Sequence, residues 1–192
     1  MTTSLNNQKL SFNKNTIKEL SSSFIAIDTE TTGFSRYNDR LIELGATEFI
    51  NLVPQRRFQM FIHADKAIPY QVTMVNHITN QMIQDAPFED EAIMQFINFL
   101  GDAFDGKTIV VGHNIKFDLG FLDEALKRIG VVGTFKTVDT MDVARQLLIL
   151  PNYKQTTVAE NFHLNTKGSH RADTDSLICG KMLVKMIELS NK

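Results

Sequence analysis

Apolar residues occur in short continuous runs in the first third of the chain and at helical spacing in the rest. Residues 24–28 predict a buried strand, because four consecutive apolar side chains cover both faces of an extended segment. Residues 41–53 and 58–62 are two further strand candidates. The short gaps at 31–40 and 54–57 predict that these three strands form an antiparallel meander.

Helical periodicity dominates after residue 88, with Gly130 and Pro151 as end signals. Helices are predicted at residues 88–100, 116–129, 140–150, 156–162 and 171–189, and a short strand at 108–111. This order predicts one α/β domain over residues 23–192. Residues 1–22 form a polar N-terminal arm, in which Ile17 and Leu20 fit a short helix and a mobile arm fits equally well.

Composition narrows the class of protein. The chain has 192 residues, of which 43% are hydrophobic and 22% charged, as in ordinary globular domains. Its start lacks an apolar signal-peptide segment, no run reaches the roughly 20 apolar residues of a membrane helix, and Cys179 is the single cysteine. These features predict a cytoplasmic protein without membrane contact. The net charge of −2 argues against a broad basic surface.

Two carboxylates follow the first buried strand, at Asp28 and Glu30, just before Gly33. Residues two apart in a strand point to the same side, so both carboxylates could converge on one cation. Acids after a strand are also common turn formers, and this alternative stays open for the pair taken alone.

Two more acids each begin a helix at the head of an apolar column. Asp118 precedes Leu122, Ala125 and Ile129, and Asp175 precedes Cys179, Met182 and Met186. An acid on the core side of a helix needs a partner, although compensation of the helix dipole is the simpler explanation for Asp118. His170 lies just before the Asp175 helix, where a solvated structural histidine is the competing interpretation.

These acids make chemical sense if they face one another. Four adjacent carboxylates repel and take up protons unless divalent cations neutralise them. Oxygen-only ligands favour Mg²⁺ or Mn²⁺, and two such ions are the usual apparatus for in-line attack on a phosphodiester. His170 would then be the general base, since its ordinary pKa suits neutral pH.

Three motifs occur in order along the chain: Asp28-Thr29-Glu30-Thr31-Thr32-Gly33, His113-Asn114-x-x-Phe117-Asp118 and His170-x-Ala172-x-x-Asp175. In sequence and spacing they resemble the DEDDh exonucleases, which include the epsilon-type proofreading subunits and the exonuclease domain of the Gram-positive replicative polymerase. The resemblance covers residues 23–189. A tyrosine in place of His170 would indicate the other branch of the family.

The resemblance implies a ribonuclease-H-like α/β fold, with a mixed five-stranded sheet flanked by helices. It implies that Asp28, Glu30 and Asp175 ligate metal directly, that Asp118 does so through water, and that His170 is the base. The implied substrate contacts are Thr31, Thr32 and Phe34 at the terminal nucleotide, and Asn114 and Phe117 along the cleft. At His77 the family often has glycine, so contacts inferred from that stretch are in doubt.

The implied activity is removal of nucleoside 5′-monophosphates from single-stranded or frayed DNA 3′ ends, with two Mg²⁺ or Mn²⁺ ions, in proofreading or DNA repair. Trimming of RNA ends is the alternative, because the same acids serve both polymers. A noncatalytic binding module is disfavoured, since it has no need for four clustered acids. A free-standing enzyme and a DNA polymerase subunit both remain open.

Overall fold

A six-stranded mixed sheet forms the centre of the computed structural model, which describes residues 3–191. The strands are β1 (Leu5–Lys9), β2 (Ser23–Thr31), β3 (Leu41–Ile50), β4 (Val53–Phe61), β5 (Asp105–Gly112) and β6 (Gly133–Asp139). Their order across the sheet is β1-β6-β5-β2-β3-β4. Strands β2, β3 and β4 form the predicted antiparallel meander, whereas β5, β6 and β1 add in parallel.

Helices cover both faces of this sheet, which confirms the predicted fold class. They are α1 (Lys14–Ser22), α2 (Tyr70–Asn76), α3 (Asn80–Ile83), α4 (Glu89–Leu100), α5 (Lys116–Ile129), α6 (Thr140–Leu147), α7 (Gln155–Asn161) and α8 (Ala172–Ser190). None of the helices described between residues 3 and 191 combines the length and apolarity that a bilayer crossing requires.

The expected number of five strands is wrong by one, because the N-terminal arm contributes β1. Leu5 is buried, and the arm pairs in parallel with β6 from Leu5 opposite Gly133 onward. The Asp123 carboxylate accepts the N–H groups of Ser4 and Leu5, which fixes the start of the strand. The helix alternative for the arm is the one found, with Asn13 as the N-cap of α1.

Two other strands differ from the predictions: β4 begins earlier than expected, and β6 was not expected. The predicted gap at 54–57 lies inside β4, because the chain turns tightly at Asn51 and Leu52, which both have positive φ. Strand β4 is an edge strand and mostly exposed, so it lacks the alternation that marks a half-buried strand. Strand β6 was not predicted, since its seven residues mix glycine, threonine and lysine with only two large apolar side chains.

The alternation of side chains along β2 separates the core into two layers. Ile25 and Ile27 pack in the layer that contains α4 and α5, whereas Phe24 and Ala26 pack in the layer that contains α6, α7 and α8. Continuing this alternation places the side chains of Asp28 and Glu30 on the α8 side. Cys179 is buried in that layer, and burial raises the pKa of its thiol.

Candidate active site

Three carboxylates meet where the end of β2 faces the first turn of α8. Asp28 and Glu30 come from β2, and Asp175 comes from α8. One carboxylate oxygen of each lies within 4.8 Å of the others. The i, i+2 spacing in the strand and the apolar column in the helix therefore bring these acids together, as the sequence predicted.

Close packing of α8 on β3 fixes this approach. A Cβ atom built on Gly45 would lie 2.1 Å from the backbone carbonyl of Ala172, the first residue of α8. Any larger residue at position 45 would displace the start of the helix and Asp175 with it. Gly45 stands opposite Asp28 in the β2–β3 register, so the contact lies beside the acids.

The fourth acid, Asp118, reaches the same group from the α5 side of the sheet. It is buried, and its Oδ1 accepts a hydrogen bond of 2.8 Å from the hydroxyl of Thr29. Thr29 lies between Asp28 and Glu30 in β2, and its side chain points to the opposite face. Strand β2 therefore carries Asp28 and Glu30 on one face and, on the other, the Thr29 hydroxyl that binds Asp118.

Desolvation shifts the acids toward their protonated forms. Burial, then the neighbouring carboxylates of Asp118 and Asp175, hold the pKa of Asp28 well above its ordinary value. Desolvation also raises the pKa of Glu30 to about 7 and that of Asp118 to about 7. The pKa of Asp175 is raised for the same reason, against hydrogen bonds that lower it.

Neutral groups, rather than cations, hold these carboxylates in place. Asn76 donates to Glu30 over 3.2 Å, and the Gln155 amide donates to Asp175 over 2.8 Å. Across residues 3–191, no lysine or arginine forms an ion pair with any of the four acids. A set of oxygen ligands without a protein counter-ion fits a hard divalent cation such as Mg²⁺ or Mn²⁺.

His170 stands at the edge of this cluster. His170 is exposed, and its backbone has a positive φ of 69°. Its backbone N–H donates a hydrogen bond of 2.6 Å to the Asp175 carboxylate. The left-handed conformation turns the chain directly before α8. The imidazole is close enough to Asp175 to lower the pKa of that carboxyl.

The sequence model of the RNase_T exonuclease family matches residues 25–183. The chain belongs to this exonuclease family. The match includes all four acids and His170. It also confirms the resemblance read from the three motifs and assigns the protein to the nucleases.

Named relatives of this exonuclease are replication proteins. It is 34% identical over 168 residues to DNA polymerase III subunit epsilon of Treponema pallidum, covering 85% of this chain and 76% of the relative. It is 32% identical over 170 residues to the PolC-type DNA polymerase III of Caldanaerobacter subterraneus. That match covers 88% of this chain but 12% of the polymerase, so the chain spans about an eighth of the PolC-type relative.

Solved structures share the exonuclease fold. Escherichia coli exonuclease I in complex with a dT13 oligonucleotide aligns with a TM-score of 0.75 at 17% identity, over 85% of this chain and 40% of that one. Exonuclease X in complex with 5′ overhanging duplex DNA aligns with a TM-score of 0.68 at 22% identity, over 88% and 93%.

The predicted substrate residues differ in whether their side chains are already engaged within the protein. The hydroxyls of Thr31 and Thr32 are engaged within the turn, with Gly33 and Arg40 respectively, so they are not free to bind a ligand without rearrangement. Phe34 is 93% exposed. Its ring meets that of Phe117 edge-on, with centroids 6.4 Å apart, and Asn114 is exposed.

One buried acid beside the cluster escaped the sequence reasoning. Glu43 is fully buried opposite Glu30 in the β2–β3 register, and Arg171 donates to its carboxylate over 2.7 Å. The Ala172 N–H and the Gln59 amide also donate to it. An acid flanked by Leu41, Ile42 and Leu44 was the available signal, since buried charges need partners.

Two further histidines, His113 of the second motif and His77, have structural explanations. Burial lowers the pKa of His113, whose ring nitrogens contact the Thr140 hydroxyl and the Tyr153 carbonyl. His77 ends α2 with φ 60°, the left-handed conformation that glycine adopts most easily. His77 directly follows Asn76, whose side chain donates a hydrogen bond to Glu30. The turn at His77 therefore helps to position a residue that contacts the acid cluster.

Proposed function

We propose that this protein is a metal-dependent 3′–5′ exonuclease that removes nucleoside 5′-monophosphates from DNA 3′ ends, in proofreading or DNA repair. The observation that carries the proposal is the convergence of the Asp28, Glu30 and Asp175 carboxylates, with buried Asp118 near enough to raise the pKa of Asp28 and no lysine or arginine paired with any of the four in residues 3–191. Membership of the exonuclease family supports the reaction class.

The proposed metal ligands are Asp28, Glu30 and Asp175, with Asp118 acting through water. When bound, two divalent ions would supply Lewis-acid stabilisation of the charge that develops on the scissile phosphate and would lower the pKa of the attacking water. The hydrogen bonds from Asn76 to Glu30, from Thr29 to Asp118 and from Gln155 to Asp175 would hold these three carboxylates in place before the ions arrive, which reduces the ordering cost of binding.

His170 is the proposed general base. An imidazole nitrogen would take the proton of the attacking water, because His170 is exposed and its ring lies near Asp175. The hydrogen bond from the His170 N–H to Asp175 fixes the backbone and leaves the ring free to approach the substrate.

Direction follows from the cleft that the proposal assigns to one terminal nucleotide. Thr31, Thr32 and Phe34 would contact that nucleotide, the threonines largely through their backbone, and Asn114 and Phe117 would line the cleft. Such a cleft would accept a free 3′ hydroxyl, and a 3′-phosphate would block it. The epsilon and PolC-type relatives support action on DNA during replication.

Residues 23–192 would carry catalysis, with residues 1–22 as an accessory arm that completes the sheet. Association with a DNA polymerase is the proposed cellular setting, as the name of the Treponema pallidum relative suggests. The second candidate is an exoribonuclease with the same acids.

A digestion series tests the proposal. The substrates are 5′-labelled single-stranded DNA, duplex DNA with a 3′ mismatch, the same strand as RNA, a 3′-phosphorylated strand and a circular single strand. The expected result with Mg²⁺ or Mn²⁺ is stepwise shortening of the DNA with a free 3′ end, faster for the mismatch than for paired DNA, and loss in EDTA.

Asp28→Asn protein purified in parallel controls for contaminating nucleases. Fragments from the circle, shortening from the 5′ end, or full turnover in EDTA would contradict the proposal. Faster shortening of RNA than of DNA would favour the second candidate.

A further inference from the structure

A pocket of about 330 Å³ lies between the loop that follows β2 and the start of α5. Its lining includes Phe34, Arg36, Tyr37, Lys116, Phe117 and Gly120. Phe34 is a proposed contact of the terminal nucleotide and Phe117 a proposed lining residue of the cleft, so the pocket adjoins that cleft. The other residues have no part in the function described so far.

Aromatic rings at the mouth of this pocket are unusually exposed. Phe34 is 93% exposed and Tyr37 is 57% exposed. Exposed aromatic side chains in a cluster commonly mark a binding surface, and nucleobases stack on such rings with little regard to sequence. The pocket therefore offers flat apolar surface beside a cleft that would take a strand end.

Positive charge accompanies these rings. The Arg36 guanidinium lies 4.8 Å from the centre of the Tyr37 ring and donates to its hydroxyl over 2.7 Å. Lys116 is exposed at the start of α5. Within residues 3–191, neither cation pairs with an acid, whereas the flanking Arg40 pairs with Asp65. Arg36 and Lys116 are therefore free to meet phosphate oxygens.

The loop that carries Phe34, Arg36 and Tyr37 is held at its base. The buried carboxylate of Asp39 accepts the Ser35 N–H over 2.9 Å. A Cβ atom on Gly33 would lie 2.5 Å from that carboxylate, so the turn closes directly on it. The rings are thus presented by a tight turn, and little ordering would be needed on binding.

We propose that this pocket binds a nucleotide of the substrate strand upstream of the terminal one, with its base against Tyr37 and its phosphate at Arg36 and Lys116. The inference rests on the proposed function, because that function places the terminal nucleotide at Phe34 and lines the adjoining cleft with Phe117. The ligand is single-stranded nucleic acid, since a base must leave its pair to stack on a ring.

Binding of fluorescent oligo(dT) strands of two to eight nucleotides tests this subsite. Ca²⁺ replaces Mg²⁺, because it also takes oxygen ligands and would neutralise the carboxylates, and a gel confirms that each strand stays intact. Wild type should bind more tightly once the strand extends past the terminal nucleotide. Tyr37→Ala should lose about tenfold in affinity for long strands and should bind thymidine 5′-monophosphate normally.

Arg36→Ala should also weaken binding of long strands, with a distinct signature. The slope of log affinity against log salt should become shallower by about 0.7, as expected when one phosphate contact to a single strand is lost. Tyr37→Ala should leave that slope unchanged.

The matched control is Arg56→Ala, because the Arg56 guanidinium also lies over an aromatic ring, Phe99, at 4.9 Å but pairs with Glu48. It should bind every strand as wild type does. Unchanged affinity in Tyr37→Ala, equal losses in Tyr37→Ala and Arg56→Ala, or an equal loss for the mononucleotide would overturn the subsite.

Failure of the subsite and failure of the proposed function remain distinguishable. DNA hydrolysis with no effect of Tyr37→Ala on binding would overturn the subsite alone. Length-dependent binding that needs Tyr37, without hydrolysis in Mg²⁺ or Mn²⁺, would support the subsite and overturn the proposed reaction.

Discussion

Glu43 and Glu30 lie opposite each other in the sheet, yet of the two only Glu43 forms an ion pair with a cationic side chain within residues 3–191. Glu43 is fully buried and receives the Arg171 guanidinium, the Ala172 N–H and the Gln59 amide. Glu30, its partner in the strand register, receives one amide hydrogen bond from Asn76. The two carboxylates therefore differ in their counter-charge, although they are neighbours.

The difference shows what distinguishes a structural acid from a ligand. Burial of a charge is costly unless a partner compensates it, and Arg171 compensates Glu43. Asp28 has no such partner, and the groups that act on it are the carboxylates of Asp118, Asp175, Glu30 and Glu43. The positive charge that compensates the Asp28 carboxylate must therefore come from bound protons or from cations in solution.

The ion pair between Glu43 and Arg171 also helps to position Asp175, through contacts at the start of α8. Arg171 lies between His170 and the first residue of α8, and Glu43 binds both its guanidinium and the Ala172 N–H. This arrangement ties the start of α8, and the turn at His170, to β3. The comparison therefore predicts opposite effects on stability when the two kinds of acid are changed.

The largest expected effect is on activity, in Asp28→Asn. Loss of this acid, on which the carboxylates of Asp118, Asp175 and Glu30 all act, should reduce kcat by on the order of 10⁴-fold or more, because metal ions contribute several kcal/mol to transition-state stabilisation. The protein should stay folded, or gain slightly in stability, since carboxylate repulsion is relieved. Exonuclease rates and urea unfolding measure the two effects.

Asp173→Asn is the matched control, because Asp173 lies in the same turn as Asp175 but pairs with Arg57. It should retain nearly full activity. Near-normal rates in Asp28→Asn, or an equal loss in Asp173→Asn, would contradict the assignment of ligands.

His170→Ala should reduce kcat by about 10²–10⁴-fold, the usual contribution of a general base. Metal affinity should barely change, because the four carboxylates remain. The pH–rate profile of the variant should differ from that of wild type, because the proposed proton acceptor is gone. Rates against pH at saturating Mg²⁺ and Mn²⁺ test this, and the same pH–rate profile in both proteins would exclude His170 as the base.

Arg171→Met should lower the free energy of unfolding by about 3 kcal/mol or more, because it leaves Glu43 buried without its cation. Adding Glu43→Gln should recover part of the loss. Urea unfolding of both variants beside Asp28→Asn measures the contrast. Equal stability of Arg171→Met and wild type would show that Glu43 does not depend on its partner.

A smaller effect is expected on the pH dependence of stability in EDTA. Burial raises the pKa of Glu30 to about 7 and that of Asp118 to about 7, above their unfolded values near 4. Between about pH 4 and pH 7 the folded chain therefore holds protons that the unfolded chain has released. The free energy of unfolding should fall as pH rises through this window, by about 1–3 kcal/mol.

Glu30→Gln should flatten that pH dependence, because the amide does not titrate. Unfolding midpoints in urea across the pH range measure it in both proteins. A free energy of unfolding that rises between pH 4 and pH 7 in wild type would contradict the inferred direction of these shifts.

Much of the cluster could be predicted from the sequence, because its signals are local. The i, i+2 spacing of Asp28 and Glu30 follows from strand geometry, and the apolar columns below Asp118 and Asp175 follow from helix geometry. The same reasoning predicted the meander and the long helices. It did not reach β6, whose short mixed sequence carries no clear period.

The parts that the sequence did not indicate depend on distant contacts. Thr29 binds Asp118 across 89 positions, and Glu43 binds Arg171 across 128. Strand β1 forms because β6 offers a free edge, which residues 5–9 cannot indicate by themselves. Contacts of this kind form only when distant segments pack together, so the local periodicity of the sequence cannot predict them.

The central claim is that divalent cations compensate the charge of Asp28, Glu30, Asp118 and Asp175, as Arg171 compensates that of Glu43. Its most direct test is the free energy of unfolding of wild type and Asp28→Asn, with and without Mn²⁺ at about 100 times its dissociation constant for wild type. Wild type should gain about 2.7 kcal/mol, as mass action requires, whereas Asp28→Asn should gain less than about 1 kcal/mol. No gain in wild type, or the same gain in both proteins, would contradict the claim.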